Sequence, residues 1–392
     1  MPAEQFHCRW AALSLSNIAS VFLPDLLLPR SDEASIRHSL VAVSTTGSME
    51  RATAWFAENR IPSPENITIY RSWEEMLEKG DFDIVYISTP HGIHYGHIKM
   101  ALECRRNVLV EKPATMNRAQ YAALVSLAKD RGVVLMEAMW TRYLPATRHF
   151  KESVLPTIGE VRRIWADFSF PIVSPDLRHD SRFLDKMAGA GSLLDQGVYA
   201  LTWADLALNG LGESTTSTDV AFASSMHVPG VPGRVDDINT VVLSKTVHGG
   251  EQVAVGIVST SMTIPGSSKP DFYTRLKADR SAPSIRIEAT KATVSIPFPP
   301  IRPQELHIQW YDDAHLDDHG RETEQVISKP VENGWGLAYQ ADAMAERVAA
   351  RQKVGTKEGE VIDEAESLRV LGWMDEVRKQ AGICYDEKIE AF

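Results

Sequence analysis

Short apolar runs alternate with amphipathic stretches over the first third of the chain. The apolar runs have the length of strands, and the stretches between them carry apolar residues at helical spacing. This alternation is typical of βαβ units, which build a parallel sheet covered by helices. The predicted strands are Trp10–Leu15, His38–Ser44, Thr68–Tyr70, Asp83–Ser88, Asn107–Glu111 and Val133–Glu137, and the predicted helices are Ile18–Leu28, Ser48–Asn59, Ser72–Lys79, His94–Cys104 and Asn117–Arg131.

The pattern changes near residues 141–145, and the rest of the chain predicts runs of strands followed by helices. Such runs favour an α+β domain built on one sheet. We therefore predict an α/β protein with two domains. Residues 1–141 form a Rossmann-type doubly wound parallel sheet, and residues 142–392 form an α+β domain with a large, mostly antiparallel open sheet. Its predicted strands are Val161–Phe170, Asn239–Ser244, Val253–Ser261, Ser284–Ala289 and Leu306–Trp310, and its predicted helices are Thr147–Val154, Ser192–Leu208, Leu337–Arg351 and Glu364–Gln380.

Two neighbouring predicted strands end in chemically useful residues. The first strand is followed by Thr89-Pro90-His91 and His94, and the second ends in Glu111-Lys112-Pro113. A lysine at the end of a buried strand is costly unless its charge is used. Ligands of open α/β sheets bind beyond the carboxyl ends of the strands. The segment therefore predicts a reaction site that includes Lys112.

The turn after the first predicted strand resembles a phosphate-binding loop only in part. A dinucleotide loop needs a glycine for the tight turn, a second for close approach of the diphosphate, and a small third residue. Ser14 and Ser16 stand at the first two positions and Ala19 at the third. A Cβ at Ser16 would crowd a diphosphate and disfavour a positive φ. The turn is therefore either an ordinary strand-to-helix connection or an anion site made by the N–H groups of the helix start, which includes Asn17 and Ile18.

The second predicted strand ends without an acidic residue, which an NAD site would use to bind the ribose 2′-hydroxyl. Instead it leads into a run of hydroxyl side chains followed by Arg51. These groups suit a 2′-phosphate, so they favour NADP over NAD. A solvated helix start with one arginine is the alternative interpretation.

With these motifs and Met136–Tyr143 in view, the chain resembles the glucose–fructose oxidoreductase (Gfo/Idh/MocA) family. The similarity is strongest to the branch of dimeric dihydrodiol dehydrogenases and fungal NADP-dependent D-xylose 1-dehydrogenases. It covers nearly the whole length, including Leu193–Trp203 and Ile285–Ala289. The resemblance implies a Rossmann domain that binds NADP and a second domain that binds substrate and makes a homodimer through its sheet.

The resemblance also implies roles for individual residues. Lys112 matches the lysine beside the nicotinamide, Tyr199 matches the acid/base of this branch, and Asp195 precedes Tyr199 by one helical turn. A nearby Lys112 would lower the pKa of Tyr199 from its ordinary value of about 10. The resemblance places Trp140, Arg142 and Arg182 in the substrate pocket. Taken together with the motifs above, the sequence predicts substrate binding by Trp140, Arg142, Phe170 and Arg182 and cofactor binding by Ser14, Ser16, Asn17, Ile18, Arg51, Thr89, Pro90, His91, His94, Glu111, Lys112 and Glu137. The chain departs from the family at Ser14 and Ser16, and at Ala190 in a turn that is usually rich in glycine.

The composition of the chain limits the classes of partner and cofactor that we expect it to bind. The formal net charge of −11 argues against nucleic acid or an anionic membrane surface as the main partner. No apolar run is long enough to cross a bilayer. Three cysteines suit neither a disulfide framework nor a zinc site, and the histidines and carboxylates lack metal-ligand spacing. We expect a cytoplasmic protein with a small-molecule substrate and no metal.

Three functions remain open at this point. The first is an NADP-dependent oxidoreductase that acts on an aldose or a cyclic diol. The second is a family member whose degenerate phosphate loop no longer serves hydride transfer, so that Lys112, Tyr199 and Asp195 perform cofactor-independent acid/base chemistry, as in an isomerase, lyase or cyclase acting on a secondary metabolite. The third is a binding or regulatory protein without catalysis.

Overall fold

The computed structural model describes residues 5–31, 34–174, 177–178, 180–212, 215–247, 249–266, 283–321, 323–354 and 362–392. The chain divides into two compact units. The first contains Met1–Trp140, Val331–Leu368 and Ile389–Phe392, and the second contains Thr141–Pro330 and Arg369–Lys388.

The division predicted from sequence placed Val331–Leu368 in the second domain. In the structure this segment joins the first unit because buried polar contacts hold it there. The carboxylate of Asp25 accepts hydrogen bonds from the backbone N–H groups of Trp335, Gly336 and Leu337. The sequence does not reveal such long-range contacts. The functional roles given to the two domains stay predictions.

The first unit is built on a six-stranded parallel sheet in the order β3-β2-β1-β4-β5-β6. This confirms the predicted Rossmann-type domain. The strands are β1 Phe6–Leu13, β2 Ile36–Ser44, β3 Thr68–Tyr70, β4 Ile84–Ile87, β5 Asn107–Glu111 and β6 Leu135–Ala138, and the helices are α1 Ala19–Leu26, α2 Met49–Glu58, α3 Trp73–Lys79, α4 His94–Glu103, α5 Arg118–Arg131 and α8 Ala338–Val354. Two further helices, α9 Ile362–Ala381 and α10 Glu387–Glu390, are divided between the units; the first unit contains α9 up to Leu368 and α10 from Ile389.

Local signals in the sequence explain where these elements begin and end. The predicted cap Asn117 accepts a hydrogen bond from the backbone N–H of Gln120 at the start of α5, and Gly132 ends that helix with φ +73°. All four residues of β4 are buried, as their apolar character predicts. Phe22 of α1 stacks on Tyr86 of β4 with 4.1 Å between ring centroids, which fixes α1 against the sheet.

The second unit contains an eight-stranded sheet in the order β14-β13-β12-β11-β7-β10-β9-β8. Among the described strand pairs of this sheet only β7 and β10 are parallel, which confirms the mostly antiparallel sheet. The strands are β7 Val161–Ser169, β8 Thr216–His227, β9 Asp236–Val247, β10 Gln252–Ser261, β11 Ile285–Ala289, β12 Ala292–Ile296, β13 Glu305–Trp310 and β14 Glu324–Ser328, with the helices α6 Pro145–His149 and α7 Val198–Asn209.

The helix predicted over Ser192–Leu208 begins differently in the structure. Its first turn, Leu193–Gly197, is a π-helix, and the regular helix α7 follows from Val198. A single π-turn at a helix start is uncommon and is frequent at functional sites. Every residue from Leu193 to Leu208 is buried, which places Asp195 and Tyr199 inside the unit.

Candidate active site

The register of the first sheet brings several predicted residues to one edge. Leu13 lies opposite both Ser44 and Ile87, and Ile87 lies opposite Val110. Because these parallel strands end level with one another, the segments that follow them meet at the carboxyl edge of the sheet. These segments begin at Ser14, Thr45, Ser88 and Lys112.

The positive φ of the phosphate-loop turn lies at Ser14, with φ +90°, and not at Ser16. The Ser14 backbone N–H donates to the carbonyl oxygen of Ser44, and its own carbonyl accepts from the Ser88 hydroxyl at 3.4 Å. A serine therefore holds the backbone conformation that glycine adopts without strain. The sequence predicted a conflict with positive φ at Ser16, whereas the positive φ lies at Ser14, where hydrogen bonds to two neighbouring strand ends hold it.

The hydroxyl of Ser16 serves the helix start rather than blocking it. It donates to the Ser88 hydroxyl at 2.8 Å and accepts from the backbone N–H of Ala19 at 3.2 Å. Within the described part of the chain, the N–H groups of Asn17 and Ile18 donate no hydrogen bond, and Ala19 is fully buried as the small third residue. Two open N–H groups at the start of α1 fit a diphosphate, so the residues present suit a dinucleotide.

The loop after β2 leads into α2, and Arg51 lies in the first turn of this helix. Ser48 accepts a hydrogen bond from the backbone N–H of Arg51 and so caps α2, and the Thr45 hydroxyl accepts from the N–H of Gly47. The guanidinium of Arg51 is exposed, and among the described residues no carboxylate pairs with it. Its charge is therefore available to an anion at this edge.

His94 joins the segments that follow β4 and β5. Its Nε2 lies 2.7 Å from the carbonyl oxygen of Thr89 and its Nδ1 lies 3.1 Å from that of Pro113. Complete burial lowers the pKa of His94 to about 4, against the two carbonyl oxygens, which favour the charged form. Both ring nitrogens are engaged by the backbone, so His94 shapes the loops around Lys112. His91 is buried and packs edge-on against the His94 ring at 5.7 Å.

Two buried carboxylates brace the end of β5. Glu111 accepts hydrogen bonds from the Tyr86 hydroxyl at 2.7 Å and from the backbone N–H of Lys112 at 3.3 Å. Burial raises the pKa of Glu111, while the Tyr86 hydrogen bond and the Lys112 charge act in the opposite direction. Glu137 accepts from the backbone N–H of Ala114 at 3.0 Å. These contacts fix the backbone on both sides of Lys112, whose side chain is half-buried.

The second unit contains the other predicted catalytic and substrate residues. Tyr199 is 7% exposed and meets the ring of Phe168 edge-to-face at 5.5 Å. Asp195 is buried and pairs with Arg182 at 3.2 Å. Phe170 packs beside Phe168 at 5.1 Å. This unit thus brings together an acid/base candidate, an ion pair and an aromatic wall, and it also contains the buried Arg142, whereas Trp140 belongs to the first unit.

The start of the π-turn is fixed by residues that the sequence did not single out. Asp236 is fully buried and accepts from the backbone N–H of Leu193 and from Asn239, both at 2.8 Å. Gly191 has φ +137°, and a Cβ there would lie 1.9 Å from Asp236 Oδ1. The glycine required by this turn is therefore residue 191, which explains why Ala190 is tolerated. Burial raises the pKa of Asp236.

In the described ranges, no group of three or more His, Cys, Asp or Glu side chains could hold a metal ion. Within the same ranges, no helix is long and apolar enough to span a membrane.

Comparison with known proteins shows similarity over nearly the full chain. Residues 14–139 match the model of an oxidoreductase family with an NAD-binding Rossmann fold. The chain is 28% identical to the D-xylose 1-dehydrogenase (NADP(+)) of Hypocrea jecorina, with 97% of this chain and 94% of the relative covered. It is 29% identical to the trans-1,2-dihydrobenzene-1,2-diol dehydrogenase of Bos taurus, with 97% and 98% covered.

Solved structures show the same fold over both units. A 3-ketoreductase from Actinomadura kijaniata, solved with NADP and TDP-benzene, has a TM-score of 0.71 at 22% identity, covering 96% of this chain and 98% of that chain. An aldose-aldose oxidoreductase from Caulobacter crescentus has a TM-score of 0.70 at 19% identity with the same coverage. At such identities the likeness concerns the fold alone.

Proposed function

We propose that the chain is an NADP-dependent dehydrogenase of the glucose–fructose oxidoreductase (Gfo/Idh/MocA) family, which its Rossmann-domain match and its relatives support. Its reaction is hydride transfer between nicotinamide and an aldose or cyclic diol. One observation supports this most: an open helix start suited to a diphosphate and the strand-end Lys112 lie at the same edge of the first sheet. The relatives named for D-xylose and dihydrodiol oxidation suggest the substrate class.

The first unit would hold the cofactor through backbone and hydroxyl groups. The N–H groups of Asn17 and Ile18 would bind the diphosphate, and Arg51 would bind the 2′-phosphate. The segments Thr89–His91 and Glu111–Lys112 would flank the nicotinamide end. His94 and Glu137 would act on these segments through the backbone that they fix. NADP, when bound, supplies the nicotinamide carbon that accepts the hydride.

The chain's own residues would handle the proton and the developing charge. Tyr199 would remove the proton from the substrate hydroxyl as the hydride leaves the carbon. The Lys112 ammonium would stabilise the negative charge that develops on the substrate oxygen. Asp195, held by Arg182, would orient the reacting groups, and the aromatic wall of Phe168 and Phe170 would cover an apolar face of the substrate. Trp140 and Arg142 would complete the pocket.

Cofactor-independent acid/base chemistry is the weaker alternative. The argument for it was that Ser14 and Ser16 occupy the positions of the first two glycines of a phosphate-binding loop. Ser14 nevertheless holds a positive φ, and Ser16 leaves two N–H groups at the helix start open. The main argument for a lost phosphate site therefore no longer applies.

We further propose a cytoplasmic homodimer formed through the open face of the eight-stranded sheet. Trp165 is 42% exposed on this face, and Arg163 of β7 pairs with Glu288 of β11 beside it. An exposed tryptophan flanked by both charge signs suits a self-complementary interface. Light scattering on the Trp165→Glu variant would yield a monomer, whereas an unchanged dimer would show that this face is not the interface.

Titration with NADPH tests the proposed function. Nicotinamide fluorescence should saturate, and absence of binding at roughly millimolar cofactor would rule out the dehydrogenase. Lys112→Ala and Tyr199→Phe should each abolish turnover without loss of fold. The matched controls are Lys99→Ala and Tyr311→Phe, which change the same residue types at surface positions. Full turnover in both active-site variants would remove the catalytic assignment.

A further inference from the structure

A second arginine lies beside the predicted 2′-phosphate position. Strands β2 and β3 are parallel and paired so that Ser44 lies opposite Tyr70, and the N–H of Thr45 donates to the Tyr70 carbonyl at 3.2 Å. Arg71 is the next residue after β3. It therefore leaves the sheet next to the turn that leads to Arg51. We propose that Arg71 and Arg51 together bind the 2′-phosphate of NADP, an inference that rests on the proposed function.

The charge of both arginines is available to a ligand. Each is exposed, and among the residues that the structure describes neither has a carboxylate within ion-pairing distance. Arg9 and Arg30 of the same unit, in contrast, are paired with aspartates. Two guanidinium groups without an ion-paired carboxylate, one directly after β3 and one in the first turn of α2, create a positive site, although the protein as a whole is acidic.

Glu50 is the acidic group that faces this site. It stands in the first turn of α2, and its own N–H and the Ser48 hydroxyl hold its pKa below the usual range, with a smaller contribution from Arg71. Its carboxylate is thus engaged by the helix start. Arg51, Arg71 and Glu50 together carry one net positive charge, which would lie beside the ribose of a bound NADP.

The chemistry of the two groups predicts selectivity for a phosphate. A guanidinium donates paired hydrogen bonds to phosphate oxygens and remains charged at all relevant pH values. A ribose 2′-hydroxyl offers no charge and only one oxygen. Arg71 should therefore strengthen binding of NADP, which carries the 2′-phosphate, and leave binding of NAD nearly unchanged.

Calorimetric titration with adenosine 2′,5′-bisphosphate and with adenosine 5′-monophosphate tests the inference without any redox step. The wild-type chain should bind the bisphosphate more tightly. Arg71→Gln should weaken bisphosphate binding about tenfold or more, because a hydrogen bond to a charged group contributes that much. Binding of the monophosphate should not change. Arg60→Gln, an exposed arginine beyond the other end of α2, serves as the matched control and should bind both as the wild type does.

Several results would overturn the inference. These are equal binding of the two nucleotides by the wild type, unchanged bisphosphate affinity in Arg71→Gln, or equal loss of both affinities in that variant. The outcome is separable from the proposed function. Bisphosphate binding that depends on Arg71 in a protein without turnover would support the subsite and contradict the dehydrogenase. Turnover with NADP that is unchanged in the Arg71→Gln variant would support the dehydrogenase and contradict the subsite.

Discussion

Replacement of Ser14 by glycine tests whether the phosphate-loop turn is strained. Ser14 has φ +90°, a region that costs an L-residue about 1–2 kcal/mol. Glycine removes this cost but loses about 0.5–1 kcal/mol more conformational entropy on folding. The Ser14 side chain makes no hydrogen bond to the described residues; only its backbone does. Ser14→Gly should therefore raise the free energy of unfolding of the first unit by about 0.5–1 kcal/mol.

Ser16→Gly is the matched control, because it makes the same change two residues away with the opposite expected sign. Ser16 has no positive φ, and its hydroxyl bonds both to Ser88 and to the N–H of Ala19. Loss of these contacts should cost about 1–2 kcal/mol. Ser14→Ala keeps the strain and should be near neutral.

Hydrogen exchange is the suitable assay because the chain has two units that need not unfold together. Exchange of peptides from β1, followed across a urea series, reports the unfolding of the first unit. Stabilisation by Ser14→Gly and destabilisation by Ser16→Gly would support the reasoning. It would be refuted if Ser14→Gly were as stable as Ser14→Ala, or less stable.

Three further predictions concern stability and its pH dependence. The pKa of His94 is about 4 in the folded protein and 6.5 ordinarily, so the unfolded chain takes up the proton first as the pH falls. The contribution of His94 to the free energy of unfolding is therefore complete above pH 6.5 and should fall by about 3 kcal/mol as the pH drops toward 4. Equal urea midpoints at pH 7 and at pH 4.5 would contradict this. Asp25→Ala leaves three N–H groups at Trp335–Leu337 without an acceptor and should cost about 3 kcal/mol or more, so a change below 1 kcal/mol in chemical denaturation would count against it. Gly191→Ala should lower both stability and kcat, since its Cβ would collide with Asp236, and wild-type values in thermal unfolding and turnover would show that the turn adapts.

Local patterns predicted the first unit well. The alternation of apolar strands with helical stretches, and the cap at Asn117, determine its elements to within a few residues. Strands β8, β12 and β14 of the second unit were not among the individual strands predicted from the sequence. For β8 and β14 the reason is that nearly all of their residues are at least partly exposed, so their apolar signal is weak. The position of Val331–Leu368 depends on Asp25, more than three hundred residues away in sequence.

Residues of the candidate site could be predicted from the sequence where the residue type itself indicates the chemistry. They could not be predicted where backbone conformation or strand register decides. Lys112 stands out in the sequence because a charge at a buried strand end needs a use, and Arg51 stands out because it follows a run of hydroxyl side chains. The positive φ of Ser14 could not be read from the residue type, since glycine is the usual signal. Ser88 and Arg71 matter only because of strand register, which brings them beside the phosphate loop and the second strand.

The proposed reaction of this chain is the transfer of a hydride to NADP. Incubation with NADP and D-xylose, deuterated at the anomeric carbon, tests it directly by mass spectrometry of the cofactor. Our account predicts that deuterium appears in NADPH in step with oxidised sugar, and that Tyr199→Phe abolishes this transfer. Conversion of the sugar with the deuterium retained or lost to water, and with no NADPH formed, would contradict it.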